Sequence, residues 1–178
     1  KDRSGSFLVR LFASPMKSGD FAEGYILPML IVSTVQALIA FAVSFVIGRF
    51  TGCSLNLLGL AFATFAILPS ALMFTAIGFI IGTLFNEKSA PGLCSIIISL
   101  GSFLGGIWFD AEGTGGIIEK ICRYTPFFYA TKVARAAIKL DLGSDNFLFP
   151  LLIVAVAAAA MTVLACFAFG KRMRADLS

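Results

Sequence analysis

Residues 57–85 read LLGLAFATFAILPSALMFTAIGFIIGTLF, 29 residues inside an uncharged run that extends from Phe50 to Asn86. As a helix, this stretch would be roughly 43 Å long at 1.5 Å per residue. That length crosses a hydrocarbon core about 30 Å thick, with tilt or with ends that reach the headgroups. A soluble helix of the same length needs a polar face, and none is present. The stretch is therefore expected to be one transmembrane helix. Pro69 removes a backbone donor at its middle and predicts a kink. Gly78 and Gly82 stand four apart, the spacing that lets membrane helices approach closely. Packing within the chain and a face for a second copy both fit that pair.

The rest of the chain has the same character. Of its 178 residues 58% are apolar and 13% charged, with a formal net charge of +4, which places it in the membrane class. The cations lie between the apolar runs, so nucleic-acid binding is not expected. Cys53, Cys94, Cys122 and Cys166 are scattered without metal or redox spacing, and there is no histidine, so no metal site is expected. Charges interrupt the first 24 residues, which excludes a signal peptide, and the chain, starting at Lys1, reads as a fragment or a processed form.

Working outward, Gly24 to Gly48 is a second uncharged run and the first full span in chain order. Pro28 falls in what would be its opening turns, and Asp20 with Glu23 reads as a capping box before it. Ser33 and Gln36 are among its few polar members; Gln36 fits either an interhelical hydrogen bond or a place in a substrate path. After the short link at Asn86–Pro91, the run 89–109 is a third expected span, with Gly101 and Gly105 again four apart. It closes on Trp108 and Phe109, aromatic residues of the kind that sit at a membrane interface and could border a substrate path. Phe147 to Gly170 is the last span, followed by Lys171, Arg172 and Arg174.

Two polar stretches carry amphipathic pattern. Between them, Ile117, Ile118, Ile121 and Cys122 share a helical face, with Glu119 and Arg123 paired at i,i+4 opposite. Thr125-Pro126 then gives an N-cap and a first-turn proline for a helix with Lys132, Arg135 and Lys139 on one side. These two short helices, within residues 116–140, are expected to lie at the membrane surface. Near the start, Phe7, Leu8, Leu11 and Phe12 form a stripe at helical spacing, stopped by Ser14-Pro15. The stripe is too short to span and too apolar for water: it either lies in the lipid interface or docks into a partner's groove. The expected architecture is an all-α, polytopic transmembrane bundle with short amphipathic surface helices, one domain over residues 1–178. With four spans, the N-terminal segment, the 86–91 link and the tail share one side and carry eight Lys and Arg, against six on the other. That bias places both termini in the cytoplasm.

The chemistry that the chain lacks narrows its function. No span holds an ionisable residue of the kind that marks proton relays and ion paths. No nucleotide-binding glycine loop with Lys-Ser/Thr is present, and no serine has a histidine partner. Neither self-powered transport nor membrane-embedded catalysis is expected, and no catalytic residue is assigned. What remains is a passive bundle with an amphipathic segment at its front, as if a separate motor drove it; a non-transporting structural or assembly protein is the alternative.

Three stretches resemble the membrane permease of ABC transporters of the type-2 export class: Ser4-Gly5-Ser6-Phe7-Leu8-Val9-Arg10-Leu11-Phe12-Ala13-Ser14-Pro15-Met16, Leu104-Gly105-Gly106-Ile107-Trp108-Phe109, and Tyr124-Thr125-Pro126-Phe127-Phe128-Tyr129-Ala130 with Arg135. The resemblance covers essentially the whole chain. It departs from the family at Asp110, where a proline is common, and in lacking the first of six spans. The resemblance implies an exporter in the cell membrane whose two permeases, alike or different, pair around a central path. Each would engage a separate ABC ATPase through Phe7, Leu8, Leu11, Phe12 and Pro15. It also implies that this chain binds no cofactor itself, ATP and Mg being held by the partner ATPase, and that residues 117–140 form a re-entrant outer pair.

Overall fold

The computed structural model describes residues 18–52, 55–86, 88–109 and 111–177, and every regular element among them is helical. The stripe Phe7, Leu8, Leu11 and Phe12, with Pro15, lies outside the described residues. Helix α1 spans Ser18–Thr51. It takes Asp20 and Pro28 into its body, so the helix begins earlier than a capping box at Asp20 would have it. The hydroxyls of Ser33, Thr34 and Ser44 donate to carbonyls one turn back, at 2.8, 2.7 and 2.8 Å, which satisfies them in an apolar surrounding without a neighbouring helix.

The deciding stretch forms α2 (Leu57–Ala66) and α3 (Leu68–Leu84), which together are long and apolar enough to cross a membrane. Asn56 caps α2, its side-chain oxygen accepting from the Leu58 amide at 3.0 Å. The interruption falls at Ile67, with Pro69 in the first turn of α3. Around it the ladder continues, from the Ile67 amide to Ala63 and from the Ala71 amide to Ile67, both 3.0 Å. The proline therefore interrupts one span without dividing it in two.

Helix α4 covers Ala90–Leu104 and is followed by α5 (Ala111–Thr114), α6 (Gly116–Arg123) and α7 (Pro126–Lys139). A π-helical turn, Ser144–Leu148, leads into α8 (Phe149–Leu177), which runs on through the basic cluster after Gly170. The most extensive contact joins α3 to α8. Met73 and Ala76 on α3 and Val154, Ala158 and Ala165 on α8 are buried there. The Phe79 ring lies 6.3 Å from Tyr25 and 5.6 Å from Phe169, tying α1, α3 and α8 together.

One expectation changes. The run 89–109 yields a 15-residue helix rather than a full span, because the chain turns at Gly105–Gly106. Gly106 takes φ +64°, a region that favours glycine. Three helices among the described residues thus have the length and apolarity to cross a membrane, and α4, about 22 Å long at 1.5 Å per residue, falls short. Helix α7 packs against α2 and α8, with Val133 and Ala137 fully buried.

Candidate functional site

Small residues let α7 into the bundle. Ala63 and Ala66 of α2 meet Val133, Ala136 and Ala137 of α7 in one cluster, joined by Phe147 and flanked by Phe41, Ile138 and Leu151. Gly59 sits one turn earlier on α2, where a Cβ would collide with the Ile138 carbonyl oxygen. The close helix approach is thus made by Gly59 and Ala63, again four apart. The Phe62 ring packs 5.5 Å from Phe147 at the edge of the cluster.

Helix α7 also receives the end of α4. Gly101 lies under Phe74 and Phe127, whose rings stack 5.3 Å apart, and a Cβ there would meet both at 3.5 Å. At Gly105 a Cβ would come within 3.0 Å of the Thr131 hydroxyl and 3.2 Å of the Phe127 carbonyl. One turn along α7, the Arg135 Nη2 donates to the Gly106 carbonyl at 2.7 Å. The two stretches singled out in sequence, Leu104–Phe109 and Tyr124–Arg135, therefore meet. A second cluster seals the corner: Ala111, Cys122 and Phe128 are buried, with Leu104, Phe109 and Tyr129 against them. The Glu119–Arg123 pair forms at 2.7 Å on α6. Thr125 is extended before Pro126, but its hydroxyl donates back to the Cys122 carbonyl at 2.8 Å instead of capping α7.

The remaining sequence candidates are placed differently. Gly101 and Gly105 are packing glycines within the chain, whereas a Cβ at Gly78 or Gly82 would meet nothing within 4 Å. Gln36 is exposed on α1, which packs on α2, α3 and α8, while Trp108 and Phe109 follow α4. Trp108 is open and Phe109 half-buried against Phe103, ring centroids 5.1 Å apart. The Ser70 hydroxyl, next to Pro69, is buried without a hydrogen-bond partner. Among the described residues, no group of His, Cys, Asp and Glu is placed to hold a metal. Sequence reading missed Gly59, Ala63 and Ser70. The Gly59/Ala63 spacing was visible, but nothing in it distinguishes a pair that meets another helix from one, such as Gly78/Gly82, that does not.

The geometry describes a locked corner: a short helix, an interrupted span and a packed amphipathic helix, joined by glycines and one arginine. A family model described as ABC-2 family transporter protein matches residues 1–167. No curated protein and no solved structure gives a match.

Proposed function

The chain belongs to the ABC-2 transporter family and has a permease role in ABC transport, and from that premise we propose that it forms the substrate path of an exporter in the cell membrane, driven by a separate ATPase. The observation that carries this reading is the family match over residues 1–167 of a chain whose apolar runs hold no ionisable residue and which has no nucleotide-binding loop. A bundle of this composition fits one driven by a separate motor. ATP and Mg belong to the partner ATPase in this reading.

Docking is assigned to Phe7, Leu8, Leu11 and Phe12, with Pro15 turning the chain toward the first span. Helix-in-groove recognition uses this anchor spacing, and interface energy concentrates in a few such residues. Both termini are cytoplasmic in this scheme, in which α4 together with the turn that follows it completes a fourth crossing, so the corner of α4 and α7 lies at the outer end of the path. Helix α7 is the gating element there: it contacts α2 and α8 and holds the end of α4 through Arg135. A shift of α4 against that interrupted span would move α7 with it. The open Gly78/Gly82 face fits close approach of a second permease. Purification of the full-length protein from its own cells tests the scheme. An ABC ATPase should come with it in stoichiometric amount, and its consistent absence would overturn the reading.

A further inference from the structure

The two halves of the span interrupted at Ile67 pack on different neighbours. Helix α2 rests on α7, through Gly59 against Ile138 and through Ala63 and Ala66 against Val133, Ala136 and Ala137. Helix α3 rests on α8, with Met73 and Ala76 on one side and Val154, Ala158 and Ala165 on the other all buried. The last span has a discontinuity of its own beside the first. Its π-helical turn, Ser144–Leu148, carries Phe147 into the α2–α7 cluster, and fully buried Pro150 denies the Asn146 carbonyl an amide four residues on. The Phe62 and Phe147 rings, 5.5 Å apart, join α2 to that turn. We propose that the two interruptions form one hinge, about which α2, α7 and the π-helical turn move as a unit against α3 and the body of α8.

Ser70 points to a second arrangement. The three threonines of the same span, Thr64, Thr75 and Thr83, donate to carbonyls one turn back at 3.1, 2.8 and 2.8 Å. The Ser70 hydroxyl has no partner, although the residue is only 5% exposed and directly follows Pro69. A buried hydroxyl left unpaired disfavours the arrangement that strands it. In the second arrangement it donates to a carbonyl one turn back, as the threonines do. Pro69 makes the movement easy: it has no amide for the Phe65 carbonyl, so bending there breaks no ladder bond at that position. The bonds from Ile67 to Ala63 and from Ala71 to Ile67 keep the span in one piece meanwhile. The Phe74–Phe127 stack crosses between the two units, and offset rings stay in contact as they slide. The hinge gives the movement assigned to α7 an axis, but it belongs to this chain alone and needs no ATPase to be observed.

Spin-label distances in the full-length protein, held in lipid nanodiscs with its native cysteines replaced, test the hinge. Leu58→Cys on α2 and Val163→Cys on α8 report across it; Leu84→Cys on α3 and Val156→Cys on α8 report within one unit, and all four positions are exposed. The first pair should give two distances, one of them that of this structure, and the second pair a single distance. Ser70→Ala removes the stranded hydroxyl from this arrangement and should lower the population of the other about fivefold. Pro69→Ala restores a donor to the Phe65 carbonyl and should leave the first pair with a single distance. One distance for the first pair in the unsubstituted protein would overturn the proposal, as would two distances whose proportions Ser70→Ala leaves unchanged. Two distances for the second pair would place the movement between α3 and α8 and overturn it equally. Should Pro69→Ala fail to fold, the response to Ser70→Ala decides alone.

Discussion

Gly59 and Gly82 lie in the same apolar span, and sequence alone gives them the same description, yet only one is in contact. A side chain at Gly59 must displace the backbone of α7, whereas one at Gly82 enters open space. Gly59→Leu should therefore cost about 1–3 kcal/mol, the usual range for overpacking, and lower the unfolding midpoint in detergent. Gly82→Leu should leave the monomer's midpoint unchanged. Equal losses at both positions would mean that neither is a contact glycine. Ser70 makes the opposite case: its hydroxyl is buried and unpaired. Ser70→Ala removes the polar group and should raise the midpoint or leave it unchanged, by up to about 1 kcal/mol. A clear loss of stability would show that the hydroxyl has a partner after all.

At the scale of elements, the hydrophobic runs were legible because lipid demands long uncharged helices, and α1, α2 with α3, and α8 follow them closely. The interruption at Ile67 was legible for the same kind of reason, since Pro69 has no amide to donate. The end of α4 was not. The uncharged run continues to Phe109, and the stop depends on a left-handed glycine and on an arginine 29 residues away, which no local pattern records. The packing of α7 was hidden for a related reason: its amphipathic pattern does not say which element covers its apolar side, and the small residues of α2 do. Arg135→Ala should unpair the Gly106 carbonyl and lower the stability by about 1.5 kcal/mol, the lower end for a charged donor because Arg135 is exposed, read as a lower unfolding midpoint. Lysine at this position should restore only part of the loss, since it lacks the planar fork. Val133→Asp would bury a charge against α2 and is expected to abolish folding; recovery of normally folded protein would contradict the packing of α7.

At the scale of the whole molecule, family membership follows from the match over residues 1–167, and the sequence already carried the stretches that resemble the family. The corner where those stretches meet was only half legible: the residue types were recognisable, but the contact between Gly106 and Arg135 exists only in the folded chain. Topology is the first test at this scale. After replacement of the native cysteines, a cysteine placed at Ser144 should react with an impermeant reagent from outside, and one at Ser178 only after permeabilisation. The reverse pattern would put the Phe7–Phe12 stripe on the wrong side for an ATPase. The central claim, that a separate motor drives this bundle through that stripe, is tested most directly by Leu11→Ala with Phe12→Ala in the complex reconstituted with its ATPase. The account predicts that the variant inserts and folds normally but no longer co-purifies with the ATPase or alters its rate of ATP hydrolysis. Unchanged binding and unchanged hydrolysis would contradict it and leave the stripe to the lipid surface.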